Sequence, residues 1–272
     1  MKKTIFRWSK VLILLYCIVG IAVYYGQDSL LFHPQAVARA TKYNFGQPFR
    51  ELNLPYDTAS NINIIQFNAI LPAGDSLPKG VVLYFHGNKQ NISRYAPFAS
   101  DLTRNGYEVW MMDYPGFGKS TGPFTEQRLY DQALVLYKLA RARWSPGQII
   151  LYGKSLGTGV AAQLASVRDC RRLILECPYF SMTSLAQHYL PIYPMGKMLH
   201  YRFPTNEFLT AVTAPVTIFH GSSDGLIPYS NAARLQPLLK PGDGFITIPG
   251  GSHNDLSKFP LFREKLDSVL GR

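Results

Sequence analysis

Residues Gly153-Lys154-Ser155-Leu156-Gly157 follow the apolar run Ile149-Ile150-Leu151-Tyr152 and read as a strand ending in a serine on a tight turn that opens a small-residue helix. The two glycines constrain the fold strongly, because a side chain at 153 or 157 would collide with the neighbouring strand and helix. The pattern therefore demands a close-packed strand–turn–helix unit that presents the serine hydroxyl at a strand end. Such a serine makes hydrolysis the leading reading. Five residues alone say little; an acid and a histidine further along the chain, in the order such a turn requires, say more.

The acid is Asp224, in a polar, glycine-bounded loop after the buried-type strand Val216-Thr217-Ile218-Phe219. The histidine is His253, just beyond the short apolar strand Phe245-Ile246-Thr247-Ile248. All three residues follow strands, and in a parallel sheet the C-terminal strand ends line one edge, where distant residues can converge. Each has a plainer alternative. Ser155 has the composition of a helix N-cap and Asp224 that of an Asx turn. Asp243, in the turn Lys240-Pro241-Gly242-Asp243-Gly244, and Asp255, beside the histidine, are rival acids that follow no strand end. Of the six histidines, His86 and His220 each close an apolar strand before a glycine and read as structural groups hydrogen-bonded beneath the site, while His33, His188 and His200 lie elsewhere.

No two histidines are spaced three or four apart and there is no CxxC pair, so neither a metal nor a cofactor is expected. Two Gly-Lys-Ser triplets invite a phosphate-loop reading, but the glycine required five positions earlier is replaced by Asp113 and by Gln148. Lys119 and Lys154 then read as surface or loop lysines.

Two further segments carry a resemblance. His86-Gly87-Asn88 follows Val81-Val82-Leu83-Tyr84-Phe85, and Asp113-Tyr114-Pro115-Gly116-Phe117-Gly118-Lys119-Ser120 follows Tyr107-Glu108-Val109-Trp110-Met111-Met112. With the serine turn and the Asp224 and His253 segments, the chain from about Val81 to its C-terminus resembles the α/β-hydrolase superfamily. Within it, the wording is similar to that of small membrane-anchored hydrolase-domain proteins, which cleave lipid esters or acyl thioesters. The resemblance implies that Ser155 Oγ attacks an acyl carbon, that His253 carries its proton and that Asp224 orients the imidazole. It also implies an oxyanion hole formed by the backbone N–H groups of Leu156 and Asn88.

The periodicities predict a doubly wound, mostly parallel α/β sheet. Residues 51–72 hold two strand-like stretches, Glu51-Leu52-Asn53-Leu54 and Asn61-Ile62-Asn63-Ile64-Ile65-Gln66-Phe67, read as an antiparallel hairpin at the sheet edge. Helix faces are marked by Tyr95, Phe98, Ala99 and Leu102, by Leu129, Ala133, Leu136 and Ala140, and by Phe262, Leu266, Val269 and Leu270. Residues 177–214 interrupt the alternation with aromatics, methionines and prolines. The resemblance implies a small cap at this position, and the composition suits one whose Tyr193 and Phe203 contact an apolar substrate, the alternative being an insertion whose aromatics fill its own core.

Residues 11–26 read as one transmembrane helix, behind a basic tip of residues 1–10 carrying Lys2, Lys3, Arg7 and Lys10. The positive-inside rule places the N-terminus in the cytoplasm and the catalytic domain, residues 51–272, on the outer (periplasmic or extracytoplasmic) side, joined by a juxtamembrane segment of residues 27–50. A cleaved signal peptide is the alternative, with Gly20-Ile21-Ala22 as a possible cut. Four of the eleven net positive charges belong to the tip, and the remainder suits anionic lipid head groups, no nucleic-acid motif accompanying it. Cys170 and Cys177 bracket a strand and lie too far apart to bridge. The composite expectation is a membrane-anchored serine hydrolase acting on an ester or thioester of a small, apolar or lipid-like acyl compound. A peptidase or amidase of the same fold and a silent binding or scaffold protein are the alternatives, and the oligomeric state is open.

Overall fold

Eight strands form one sheet: β1 (Phe49–Pro55), β2 (Asn61–Phe67), β3 (Gly80–Phe85), β4 (Tyr107–Met112), β5 (Ile149–Lys154), β6 (Arg172–Glu176), β7 (Val216–Gly221) and β8 (Gly244–Ile248). The order is β8-β7-β6-β5-β3-β4-β2-β1. The first two strands pair antiparallel, β2 is antiparallel to β4, and the remaining pairs are parallel. Covered on both faces, β3, β5 and β7 are buried along their whole length, which is why they read as unbroken apolar runs. The computed structural model describes residues 2–71, 74 and 76–271. Met1 of the basic tip, Pro72 at the end of the hairpin stretch and Arg272 at the end of the domain lie outside the described residues.

The helices are α1 (Lys2–Leu31), α2 (Ile92–Thr103), α3 (Glu126–Arg141), α4 (Leu156–Val167), α5 (Met182–Tyr189), α6 (Met195–Met198), α7 (Thr205–Leu209), α8 (Tyr229–Ala233) and α9 (Pro260–Gly271). One face of the sheet is covered by α2 and α9 through Tyr95, Ala99, Leu102, Phe262, Leu266 and Leu270. The other is covered by α3 and α4 through Leu129, Ala133, Leu136, Val160 and Leu164. The chain leaves β3 for β4 on one side and returns to β5 on the other. This reversal of direction opens a crevice beyond the C-terminal ends of β3 and β5. Gly87 and Ser155 sit there.

The predicted hairpin is present, with its first strand beginning at Phe49. The N-terminal region departs from expectation. Rather than ending at residue 26, α1 runs to Leu31, because Gln27 finds partners for its amide on the cap. Its Nε2 donates to Tyr24 O at 2.7 Å and Met198 O at 3.3 Å, and its Oε1 accepts from His200 N at 2.8 Å. Nor is the following segment a loose connection: Phe32 is buried, and His33–Pro34 pairs in parallel with Lys89–Gln90. Among the described residues, α1 is the one helix long and apolar enough to cross a membrane, a property that a signal sequence shares.

Of the two lysines read as surface or loop groups, Lys119 lies in a loop and Lys154 at the end of β5, and both are buried because each has a carboxylate partner. Lys119 Nζ donates to both oxygens of Glu51 at 2.8 and 3.0 Å, and Lys154 pairs with Glu176. The three cysteines are free thiols.

Candidate active site

Strand β5 delivers Ser155 to the mouth of the crevice in a conformation side chains rarely adopt, φ 53° and ψ −119°. The surrounding glycines make the turn possible. A Cβ on Gly153 would overlap Gly157 O and the start of α4, and one on Gly157 would overlap Phe85 O at the end of β3. Sheet and helix therefore approach too closely for any other residue, and the packing holds the serine in its strained geometry. The turn is closed by Thr158, whose N–H and hydroxyl both donate to Ser155 O, at 2.9 and 2.6 Å.

The loops after β7 and β8 complete a relay. His253 Nδ1 donates to Asp224 Oδ2 at 2.8 Å, and since a carboxylate only accepts, Nε2 is left with its lone pair and accepts from Ser155 Oγ at 2.8 Å. The other carboxylate oxygen of Asp224 accepts from the N–H groups of Leu226 and Ile227 at 2.9 and 2.8 Å. Burial raises the Asp224 carboxyl, but the bond and charge of His253 and these two N–H groups outweigh it and hold the carboxyl below its ordinary value. Ser155, His253 and Asp224 are all buried.

The rival acids are engaged elsewhere: Asp243 accepts from Val216 N and Lys240, and Asp255 accepts from Ser252 N. His220 and His86 lie beneath the site. His220 Nε2 donates to Ile227 O at 3.0 Å and stands 3.7 Å from Asp224 Oδ2, and burial holds its pKa down, so it supports the Asp224 loop as a neutral ring. His86 Nδ1 donates to Gly87 O at 2.7 Å, and its ring packs between Tyr95 and Tyr114.

Ser155 opens into a cavity of about 320 Å³ that also has Asn88 and Leu156 in its wall. The Asn88 carbonyl accepts from His33 N at 2.9 Å and its side-chain amide donates to Leu31 O at 2.7 Å, so the segment after α1 fixes this turn. Apart from Gln27, Tyr179 and Tyr189, the rest of the wall is apolar. Residues 177–214 contribute Tyr179, Met182, Leu185, Tyr189, Met195 and Leu199.

Neither substrate contact read from the sequence lies in that wall. Phe203 is fully buried against Tyr130 and the glycine face of α4, where Gly159 makes room for it. Tyr193 stacks on Tyr16 of α1, with centroids 4.6 Å apart. What the sequence reading missed is the contribution of α1 itself, whose Val23, Gln27, Leu30 and Leu31 close one side of the cavity. A polar Gln27 set in an apolar helix was the available signal.

The family model for serine aminopeptidases (S33) matches residues 76–208. An α/β hydrolase domain-containing protein 17C from Xenopus tropicalis is 30% identical over 194 residues, 70% of this chain and 61% of the relative, so the chain spans less than two thirds of that relative's length. An uncharacterised protein, YfhR, of Salmonella typhimurium is 31% identical over 189 residues, 64% of each chain. Among solved structures, an esterase of Pyrococcus furiosus superposes with a TM-score of 0.68 at 16% identity, over 89% of this chain and 98% of the other. The chain belongs to the α/β-hydrolase superfamily. A soluble variant of monoglyceride lipase from Saccharomyces cerevisiae shares the fold at a TM-score of 0.62 and 16% identity, over 84% of this chain and 97% of the other. In this α/β hydrolase the family match ends at residue 208, before Asp224 and His253. Their convergence on Ser155 is thus a property of the fold that the matched segment does not contain. The fold also gathers Cys177, Asp224 and His253 within 4.8 Å, which sequence spacing could not show, but both nitrogens of His253 are already bonded to Asp224 and Ser155.

Proposed function

We propose that the chain is a membrane-anchored serine hydrolase that cleaves carboxylic ester or thioester bonds of apolar acyl substrates. The observation that carries this reading is the Ser155–His253–Asp224 relay opening into a largely apolar cavity. Ser155 Oγ adds to the acyl carbon while its proton passes to His253 Nε2, and the imidazolium is stabilised by Asp224. The oxyanion is received by the N–H groups of Leu156 and Asn88. Collapse of the tetrahedral adduct expels the alcohol or thiol, which takes the proton from His253. Water then adds to the acyl-enzyme by the same route, releasing the acid and restoring Ser155.

The name of the matched family raises an aminopeptidase alternative. An aminopeptidase needs a carboxylate to hold the substrate's ammonium group, and the described residues lining the cavity include no charged side chain. The apolar wall favours an acyl chain instead. Each methylene buried there contributes about 0.8 kcal/mol, so kcat/KM should rise a few-fold per carbon from acetyl to decanoyl p-nitrophenyl esters until the cavity fills. The same detergent-solubilised protein, offered an acyl thioester and aminoacyl amides, should turn over the thioester and spare the amides. A flat or falling series, or a preference for the amides, would sink this reading.

The membrane arrangement is part of the proposal. With Lys2, Lys3, Arg7 and Lys10 retained in the cytoplasm, protease added to spheroplasts should digest the domain beyond α1. Protection of the domain until lysis would reverse the orientation.

A further inference from the structure

We propose that the cap tip, residues 189–200, is immersed in the lipid leaflet beside α1, and that substrate reaches Ser155 sideways out of that leaflet. The inference rests on the hydrolase reading and on α1 as a membrane anchor.

Length supplies the first argument. The cap occupies one stripe of α1 from Tyr16 to Gln27. Tyr16 stacks on Tyr193 with an interplanar angle of 8°, and its hydroxyl donates to Ile192 O at 3.2 Å. Tyr193 Oη donates back to Tyr16 O at 3.0 Å, Gly20 lies against the Tyr193 ring, and Tyr24 meets His200 edge-on at 5.0 Å. The cap-free part of the helix, Lys2–Leu15, therefore rises only about 21 Å, whereas a bilayer's hydrocarbon core is about 30 Å thick. Counted instead from Val11, after the last basic residue, to Gly26, before Gln27 and Asp28, the uncharged stretch rises only about 24 Å and already includes Tyr16. On either count α1 cannot span without carrying the Ile192 end of the cap into hydrocarbon.

The chemistry of the tip suits that depth. Between Tyr189 and His200 the only charged residue with a fixed charge is Lys197, whose long stem allows its ammonium to reach the interface. Tyr189, which lines the cavity, and Ile192 are exposed, at 51% and 69%. Irregular backbone is tolerated in lipid only where its polar groups are satisfied. Here Pro191 and Pro194 have no N–H, and those of Leu190, Tyr193, Met195, Lys197 and Leu199 all find local carbonyls. Three groups of this segment are met by side chains of α1: Ile192 O by Tyr16, and Met198 O and His200 N by Gln27. A loop bathed in water has no need of such partners.

The mouth follows from the same contacts. Val23 and Leu30 of α1 line the same cavity as Tyr189 and Leu190 of the cap, and Ser155 lies in that lining too. An acyl chain lying in the leaflet alongside α1 can slide between these two walls without crossing water.

The test uses the full-length protein in phosphatidylcholine nanodiscs, with Cys17→Ser and Cys170→Ser to clear accessible thiols. An environment-sensitive fluorophore is placed at Ile192→Cys or, as a water-facing control on α3, at Lys138→Cys. Lipids with a doxyl group in the acyl chain should quench the probe at 192 and spare that at 138, and aqueous iodide should do the reverse. Iodide quenching at 192 equal to that at 138 overturns the immersion. A second variant, Ile192→Asp, should lower hydrolysis of a long-chain ester embedded in vesicles by about tenfold or more while soluble p-nitrophenyl acetate stays within about twofold, because a carboxylate is expelled from the leaflet. Equal effects on the two substrates overturn lateral access. A wild-type protein inactive on the soluble ester would count against the hydrolase reading instead, and would leave the depth measurement standing.

Discussion

Ser155→Ala is expected to lower ester turnover by roughly a millionfold, the loss seen when an activated serine acting with a histidine and a carboxylate is removed. The effect is that large because the hydroxyl has no substitute: the described side chain nearest to it in hydrogen-bonding terms is His253, which would be left with no bound nucleophile to deprotonate. Stability should hardly change. Alanine keeps the Cβ that the cramped turn already accommodates, and the one side-chain hydrogen bond lost is worth about 1 kcal/mol. Turnover, labelling by a fluorophosphonate and the thermal midpoint, measured on the same preparations, test this together. Undiminished labelling of the variant would falsify the assignment of Ser155.

Asp224→Asn should cost about 10⁴-fold in kcat, with the protein still folded. The reason lies in how the carboxylate is held. Its Oδ1 accepts two backbone N–H groups, from Leu226 and Ile227, so an asparagine would keep its oxygen there and turn its amide NH₂ toward His253. Facing a donor, Nδ1 becomes the lone-pair nitrogen and Nε2 carries the proton, which is the tautomer that cannot accept from Ser155. The substitution also removes a pH-dependent contribution to stability. The folded carboxyl is held below its ordinary value, so its ionised form adds stability at neutral pH that is lost as pH falls through the lowered value. Asp243→Asn and Asp255→Asn serve as comparisons, since both carboxylates cap turns away from the imidazole. If either of these, and not Asp224→Asn, abolished turnover, the acid has been misassigned.

The sheet and the relay residues were legible because both leave local marks. Buried parallel strands such as β3 and β5 are unbroken apolar runs, and the glycines at 153 and 157 report a close approach that the fold indeed makes. The cavity wall was not legible, because a wall is assembled from segments whose pairing has no local mark. Tyr193 and Phe203 carry the right chemistry and lie in the right insertion. Yet one is taken up by Tyr16, some 177 positions away, and the other by the gap that Gly159 leaves. Likewise, the burial of Lys119 and Lys154, read as surface or loop groups, was not legible because nothing nearby in sequence announces Glu51 or Glu176 as a partner. An uncharged apolar run of near-spanning length suggested that α1 could enter a membrane. It could not show that the same helix would also complete the domain.

The pairing of His33–Pro34 with Lys89–Gln90, together with the bonds that tie Asn88 to Leu31 at the end of α1 and to His33 just beyond it, fixes how the domain is mounted. A flexible spacer would let a tethered enzyme sweep a hemisphere whose radius grows with the square root of the spacer length. This chain has no such spacer between α1 and the turn beside Ser155. Helix α1 and the crevice form one stiff bracket, and the hydroxyl stands at a single height relative to the end of the helix. Its reach is set by the shape of the bracket, and a scissile bond carried far out on a bulky partner would pass above it untouched.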